Sequence, residues 1–175
     1  MQKKCDYAEA IKTKYPEQLV IAIAKDKNGK ANPVTIGWTM IASGEPAMLA
    51  IALVPKRYTT AAIRENKCFT VAYPNEDMAA LALFFGTHSG RDTDKFAETG
   101  CKFSPAEKID SVIIDDAVAN FECTLESELI TGDHIIFVGK VVACHINTEP
   151  KGRLYSVGPN RVLGGVLKNR GIGGC

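Results

Sequence analysis

Phe85-Gly86-Thr87-His88-Ser89-Gly90-Arg91-Asp92-Thr93-Asp94-Lys95-Phe96 crowds small residues, hydroxyls and two cations into twelve positions. Glycines at 86 and 90 let a backbone bring its N–H groups close to an anion. Thr87 and Ser89 supply hydroxyl donors, and Arg91 and Lys95 supply charge. That is the inventory a phosphate monoester needs. Asp92 and Asp94 dilute the positive charge. Arg91 therefore has two readings: a phosphate ligand, or the partner of Asp94 in a local brace.

Upstream of this stretch, Met78, Leu81, Ala82 and Phe85 fall at i, i+3, i+4 and i+7, which predicts a helix with Asn75 as its cap. Downstream, Asp92 to Glu98 reads as a short helix stopped by Gly100. Cys68 to Tyr73 is a strand closed by Pro74, preceded by a helix from Tyr58 to Asn66 that Thr59 or Thr60 would cap. Nearer the start, Leu19 to Ala24 is an apolar run of strand length, and Asn28-Gly29 is a hairpin signal. Residues 32–42 read as a second strand, Ser43 to Pro46 as a turn, and Ala47 to Leu53 as a third strand. Residues 104–116 read as irregular. Phe121, Cys123, Leu125, Ser127 and Leu129 alternate with Glu122, Thr124, Glu126 and Glu128, which predicts a strand with one wet face. After a turn at Thr131 to His134, Ile135 to Ile146 completes a second hairpin. Beyond Pro150 the tail offers Tyr155, Val162 and Leu163 as anchors. Strands, then helices, then strands again imply a mainly β fold with inserted helices. The architecture expected is an antiparallel barrel and not alternating βαβ units. We read residues 1–175 as a single domain with a tail at 151–175.

At 175 residues, 46% hydrophobic and 23% charged, the chain has the composition of an ordinary soluble domain. A net charge of +1, with no basic block and no aromatic residues interleaved with basic ones, argues against nucleic acid as a partner. No apolar run approaches a membrane span and no apolar segment follows Lys3 and Lys4, so neither a membrane nor a secretory route is expected. The six cysteines form no C-x-x-C pair and no zinc-ligand spacing, so no metal site is expected and a cytoplasmic setting with reduced thiols is. Cys123 and Cys144 read as small core residues, and Cys175 as an exposed thiol. No Gly-x-Gly-x-x-Gly follows a strand, so there is no dedicated dinucleotide-binding domain.

Three segments, in this order, carry a resemblance. They are Asn32-Pro33-Val34-Thr35-Ile36-Gly37-Trp38-Thr39, then Pro55-Lys56-Arg57-Tyr58-Thr59, then Gly86 to Phe96. Together they resemble the flavin reductase-like proteins with an FMN-binding split barrel, particularly the flavoredoxin branch. Gly132-Asp133-His134 and the strand after it look like that family's last hairpin. The resemblance spans roughly residues 15 to 146. It implies an antiparallel split β-barrel, a homodimer and one FMN per subunit.

By that resemblance, Asn32, Thr35, Trp38 and Thr39 lie beside the flavin. Arg57, Tyr58 and Thr59 meet its phosphate at a helix start, and Gly86, Thr87, His88, Ser89 and Lys95 wrap the other side. His88 is equally a polar loop residue on its own chemistry, and Trp38 a core or interface residue. Phe85 stands where some relatives have a smaller residue. The implied function is an FMN-dependent oxidoreductase. It would take electrons from a reduced nicotinamide or a redox protein and pass them to flavin or another acceptor. Hydride transfer needs the donor stacked on the ring and no acid–base catalyst. The alternatives are a flavin-binding electron carrier or sensor, and a split barrel holding haem, deazaflavin or pyridoxamine phosphate.

Overall fold

The computed structural model describes residues 1–149 and 151–165; the Cys175 thiol lies outside them. In chain order the elements are α1 (Tyr7–Ala10), β1 (Glu17–Gln18), β2 (Val20–Lys25), β3 (Ala31–Ile36), β4 (Thr39–Gly44), β5 (Ala47–Leu53), α2 (Tyr58–Asn66) and β6 (Cys68–Tyr73). There follow α3 (Ala79–Thr87), α4 (Lys95–Thr99), β7 (Phe103–Pro105), β8 (Val112–Ile114), β9 (Ala119–Thr131), β10 (His134–Ile146), β11 (Leu154–Gly158) and β12 (Val162–Gly165). β2 is apolar on both faces and is buried from Val20 to Ala24. It lies between β3 and β6 in a seven-stranded antiparallel sheet ordered β3-β2-β6-β9-β10-β5-β4. This is the antiparallel split barrel that the sequence implies.

The predicted strand over 32–42 is in fact two. It breaks at Gly37-Trp38, leaving β3 and β4 at opposite ends of the sheet. A link this short between the two outer strands requires the sheet to curl until its edges meet. The Trp38 carbonyl accepts from the Ala52 amide at 2.9 Å, which ties the corner to β5. Glu17 packs on the corner, and a Cβ at Gly37 would come within 3.1 Å of its carboxylate. The inward side chains Val34, Leu49, Ile51, Leu53, Ile63, Phe69, Val71, Ile135 and Phe137 fill the barrel.

The helices follow the predicted spans with local differences. Arg57, not Thr59 or Thr60, stands at the α2 N-cap, and no side chain caps it. The Thr60 hydroxyl donates to the Val54 carbonyl at 3.0 Å, and Thr59 accepts from Asn32. Asn75 accepts from the Asp77 amide and opens the 3₁₀ turn that leads into α3. α4 begins three residues later than expected because Asp94 caps it through the Ala97 amide, and Gly100 ends it with φ +64°. The segment expected to be irregular holds the β7–β8 pair.

Two readings of the second hairpin are overturned. Cys144 is exposed, whereas Cys123 is buried. Glu122, expected on a wet face, is wholly buried. Its carboxylate accepts from the Glu107 amide at 2.8 Å, the Lys108 amide at 2.7 Å and His145 Nε2 at 2.7 Å. The loop between β7 and β8 folds over this half of β9, so a strand face that alternation alone assigns to water is covered by a later tertiary contact. Burial raises the Glu122 pKa, but the two amides and His145 outweigh it and hold it below the ordinary glutamate value.

A carboxylate with a depressed pKa contributes stability above its unfolded pKa and loses it as pH falls through the folded value. Glu122→Gln turns an acceptor toward N–H donors into a competing donor. It is expected to cost about 2–4 kcal/mol in chemical denaturation at neutral pH and to flatten the acid limb of the stability profile. An unchanged midpoint in both respects contradicts the assignment.

Candidate functional site

β3 is the spine of the site. Its residues are stapled to three helices in turn. Asn32 Nδ2 donates to Thr59 Oγ1 at 2.7 Å, reaching α2. The Pro33 carbonyl accepts from Lys95 Nζ at 2.7 Å, reaching α4. Thr35 Oγ1 donates to the Ala82 carbonyl at 2.6 Å, reaching α3. Pro33 has no N–H to offer a ladder, which suits it to an edge strand.

Alongside β3 lies a cavity of about 290 Å³ lined by Asn32, Val34, Val54, Lys56, Arg57, Tyr58, Thr59, His88, Ser89, Gly90, Arg91 and Lys95. Four of these residues are cations and none is a carboxylate. Ser89 Oγ accepts from the Arg91 amide at 3.2 Å, and Thr59 Oγ1 accepts from Asn32. Each hydroxyl is thereby held as an acceptor with its own O–H free to donate. Gly90 is pressed onto Asn32 and Tyr58, and any Cβ there would overlap the Asn32 side chain. The Tyr58 hydroxyl donates to Asp26 at 2.7 Å, which raises the tyrosine pKa, desolvation adding to it.

Lys95 is 2% exposed. Its ammonium donates to the Pro33 carbonyl and, at 3.0 Å, to the Phe85 carbonyl. Burial, with the Arg57 charge adding to it, lowers its pKa to about 8. The neutral amine keeps both hydrogens in those two bonds. The cation has a third, free to meet an anion in the cavity.

A larger cavity of about 590 Å³ adjoins the first, Arg57 lining both. Its floor is Thr35, Ile36, Gly37, Trp38, Ala82, Leu83 and Gly86; its outer wall is Lys14, Tyr15, Glu17, Leu19, Ser156, Asn160, Arg161 and Leu163. That wall is built by a separate small sheet ordered β1-β11-β12. Trp38 is 47% exposed, and its ring lies 4.2 Å from that of His134. Beyond Trp38 an apolar groove of about 190 Å³ runs along Thr39, Met40, Ala50, Ile51, Ala52 and Ile136.

The model of the flavin reductase like domain matches residues 12–162. An uncharacterized protein of Pyrococcus abyssi is 30% identical over 135 residues, which are 77% of each chain. The solved flavoredoxin of Methanosarcina acetivorans superposes with a TM-score of 0.86 at 23% identity, covering 99% of this chain and 95% of its own. An NADH-dependent FMN reductase of Streptomyces nodosus subsp. asukaensis is 26% identical over 126 residues, 72% of this chain and 67% of its own.

The chain belongs to the flavin reductase-like domain family.

Within this family member, Asn32, Arg57, Tyr58, Thr59, His88, Ser89 and Lys95 meet at the smaller cavity, Thr35, Trp38, Arg57 and Gly86 at the larger one, and Thr39 at the apolar groove. Thr87 joins none of them, because its hydroxyl donates to the Leu83 carbonyl at 2.8 Å inside α3. His88 stacks on Phe84 at 3.9 Å between centroids. Arg91 does not brace Asp94. It donates to the Lys56 carbonyl at 3.2 Å and lies over the Tyr58 ring, while Asp94 is occupied with its helix and Lys30. The outer wall of the larger cavity was missed. Only Leu163, named as an anchor, pointed to it. The rest comes from chain ends with no motif; the Asn160-Arg161 turn is its one local signal.

A lysine with a lowered folded pKa binds fewer protons than the unfolded chain between about pH 8 and the ordinary lysine value of 10.5, so stability rises with pH across that window. We expect the parent to gain on the order of 2 kcal/mol over Lys95→Met between these limits in denaturant titrations. Saturating phosphate, by holding the ammonium charged, should remove the gain. A parallel course for the two proteins at every pH contradicts the buried-cation assignment.

Proposed function

We propose that this chain binds FMN and acts as an FMN-dependent oxidoreductase of the flavin reductase/flavoredoxin type. The electrons come from a reduced nicotinamide or a redox protein and go to flavin or another acceptor. The observation that carries this reading is the smaller cavity: four cations and two hydroxyls without a carboxylate, sharing Arg57 with a larger cavity whose lining includes Ile36, Trp38, Ala82 and Leu83. The donor set fits a phosphate monoester, and the adjoining floor fits a planar ring. Membership of the family supports it, as does the NADH-dependent FMN reductase among the relatives.

In this reading Arg57, the third hydrogen of Lys95, and the Thr59 and Ser89 hydroxyls hold the phosphate, at the uncapped start of α2. Asn32 and Tyr58 fix the cavity shape. Thr35, Trp38, Thr39 and Gly86 border the ring. Bound FMN would supply the hydride-accepting and electron-passing chemistry. The protein's part is to bind it, to present one face of the ring to the larger cavity and to exclude water behind it. No titrating side chain is required at the reacting face, so we assign no catalytic acid or base.

We further propose a homodimer. Met40, Ala52, Ile136 and Leu129 project from one face of β4, β5, β10 and β9 in the observed register. Met40 is 58% exposed and Leu129 60%. An apolar sheet face beside the apolar groove is the chemistry of a buried interface.

The purified protein is expected to be yellow, with a flavin absorption band, and to release FMN by mass. Arg57→Ala should weaken FMN binding about tenfold or more, from loss of a charge-assisted contact. A colourless protein that also fails to bind added FMN contradicts the proposal. Light scattering should give about twice the chain mass of 18.9 kDa, and Met40→Asp should give a folded monomer. A monomeric parent with FMN bound would sink the dimer.

A further inference from the structure

Asp26 opens the turn between β2 and β3 and stands outside the lining of the smaller cavity. Its Oδ1 accepts from the Asn28 amide at 2.8 Å and from the Lys30 amide at 3.0 Å. Its backbone amide donates to the Lys30 carbonyl at 2.9 Å. One carboxylate oxygen is therefore enough to hold the turn, as aspartates in turns do. The other oxygen, Oδ2, accepts from the Tyr58 hydroxyl at 2.7 Å, across 32 residues of chain. That second bond is superfluous to the hairpin and reaches the wall of the cavity.

Tyr58 is the first residue of α2, and its ring supports the two residues that follow Ser89. A Cβ at Gly90 would come within 2.9 Å of Tyr58 Cδ1, so the glycine backbone rests against the ring. The Arg91 guanidinium carbon lies 5.2 Å from the ring centroid, and Arg91 Nη2 donates to the Lys56 carbonyl at 3.2 Å. A cation over a tyrosine face is attracted by the ring quadrupole. A hydroxyl that donates to a carboxylate leaves more electron density in the ring, which strengthens that attraction. The charge of Asp26 works the other way. The cavity carries four cations and no carboxylate, so a carboxylate behind Tyr58 repels an incoming anion. Its hydrogen bond holds a wall in place while its charge opposes the ligand, and the two effects have opposite signs.

We propose that Asp26 is a positioning residue for the anion cavity: through the Tyr58 hydroxyl it fixes the ring against which Gly90 and Arg91 are set before any ligand arrives. The proposal rests on the reading of this cavity as the FMN phosphate site. It deepens that reading by naming a residue outside the lining that sets the affinity of the site. Groups already held in their bound arrangement lose less freedom when the ligand enters. Arg91 gains most, since a long side chain has the most rotamer freedom to lose. Asp26 touches no ligand and acts through Tyr58 alone.

A double-substitution cycle on the full chain tests this. Any bound flavin is dialysed away, and inorganic phosphate and FMN are titrated separately in a calorimeter. Tyr58→Phe removes the bond and leaves the turn, whereas Asp26→Ala removes both. Each should raise the dissociation constants for phosphate and FMN about three- to tenfold. The double variant should bind no more weakly than the weaker single one, because both substitutions delete the same bond. Asp26→Asn keeps an oxygen for the turn and an amide that can still meet the Tyr58 oxygen, so it should fall between the parent and Asp26→Ala. If Asp26→Ala fails to fold, Tyr58→Phe and Asp26→Asn still carry the test. Tighter binding by Asp26→Asn means that the charge acts through space, and it overturns the proposal. Effects that multiply in the double variant also overturn it, since the Tyr58 hydroxyl and Asp26 then act separately. If FMN binds and no variant changes its affinity, the flavin reading survives, this inference falls and Asp26 serves the turn alone. If phosphate binding depends on Asp26 and FMN fails to bind, the positioning role stands and the flavin reading falls. A parent that binds neither overturns both.

Discussion

A buried ammonium organises this site. Taking a lysine out of water is costly unless strong acceptors replace the solvent. Lys95 finds two, the carbonyls of Pro33 and Phe85. One comes from the edge strand β3 and the other from the last turn of α3, whose carbonyl end carries the negative pole of the helix. Three elements distant in sequence are thereby fixed at one point. The glycine-rich stretch between α3 and α4 is anchored at both ends of its run, by the Phe85 carbonyl and the Lys95 side chain. The two carbonyls offset only part of the desolvation, which is why the pKa falls to about 8. The proposed phosphate would supply the rest of the missing negative potential. The site is thus poised for an anion by an incompletely compensated charge.

The barrel's closure then sets where that anion meets anything else. β3 runs past the smaller cavity with Asn32 and Val34 and past the larger one with Thr35 to Gly37. It ends at the corner where the chain jumps to the opposite edge of the sheet. A strand that continued straight to residue 42 would place Trp38 in the sheet interior. The break instead leaves Trp38 half-exposed at the rim, between the larger cavity and the apolar groove. The topological constraint and the placement of the aromatic residue are one event.

Most of the barrel was legible because its signals are local. The apolar run of β2, the Asn-Gly hairpin and the 3.6-residue period of α3 each act within a few residues. That Ser89, Arg91 and Lys95 gather at one polar cavity was legible in the glycine-rich stretch that carries them. The Lys95 carbonyl bonds were not, since nothing in a sequence says that a lysine will point inward. Glu122 misled for the matching reason. Its alternation is that of a wet face, and only the β7–β8 loop, some fifteen residues earlier in the chain, supplies the amides that permit its burial. The Gly37-Trp38 break was hidden because both flanks have strand chemistry; closure, not propensity, decides it.

The two cavities differ in how they are built. The smaller one is walled by β3, α2 and the α3–α4 connection, all tied to the barrel core through Asn32, Thr59 and Lys95. The larger one takes its outer wall from a three-stranded sheet of chain ends, held to the body by the small cluster of Leu19, Ala82 and Leu154. A wall with a core that small opens at lower cost than the barrel does. Under the proposed function, the rigid part would grip the cofactor and the weaker part would meet the reactant.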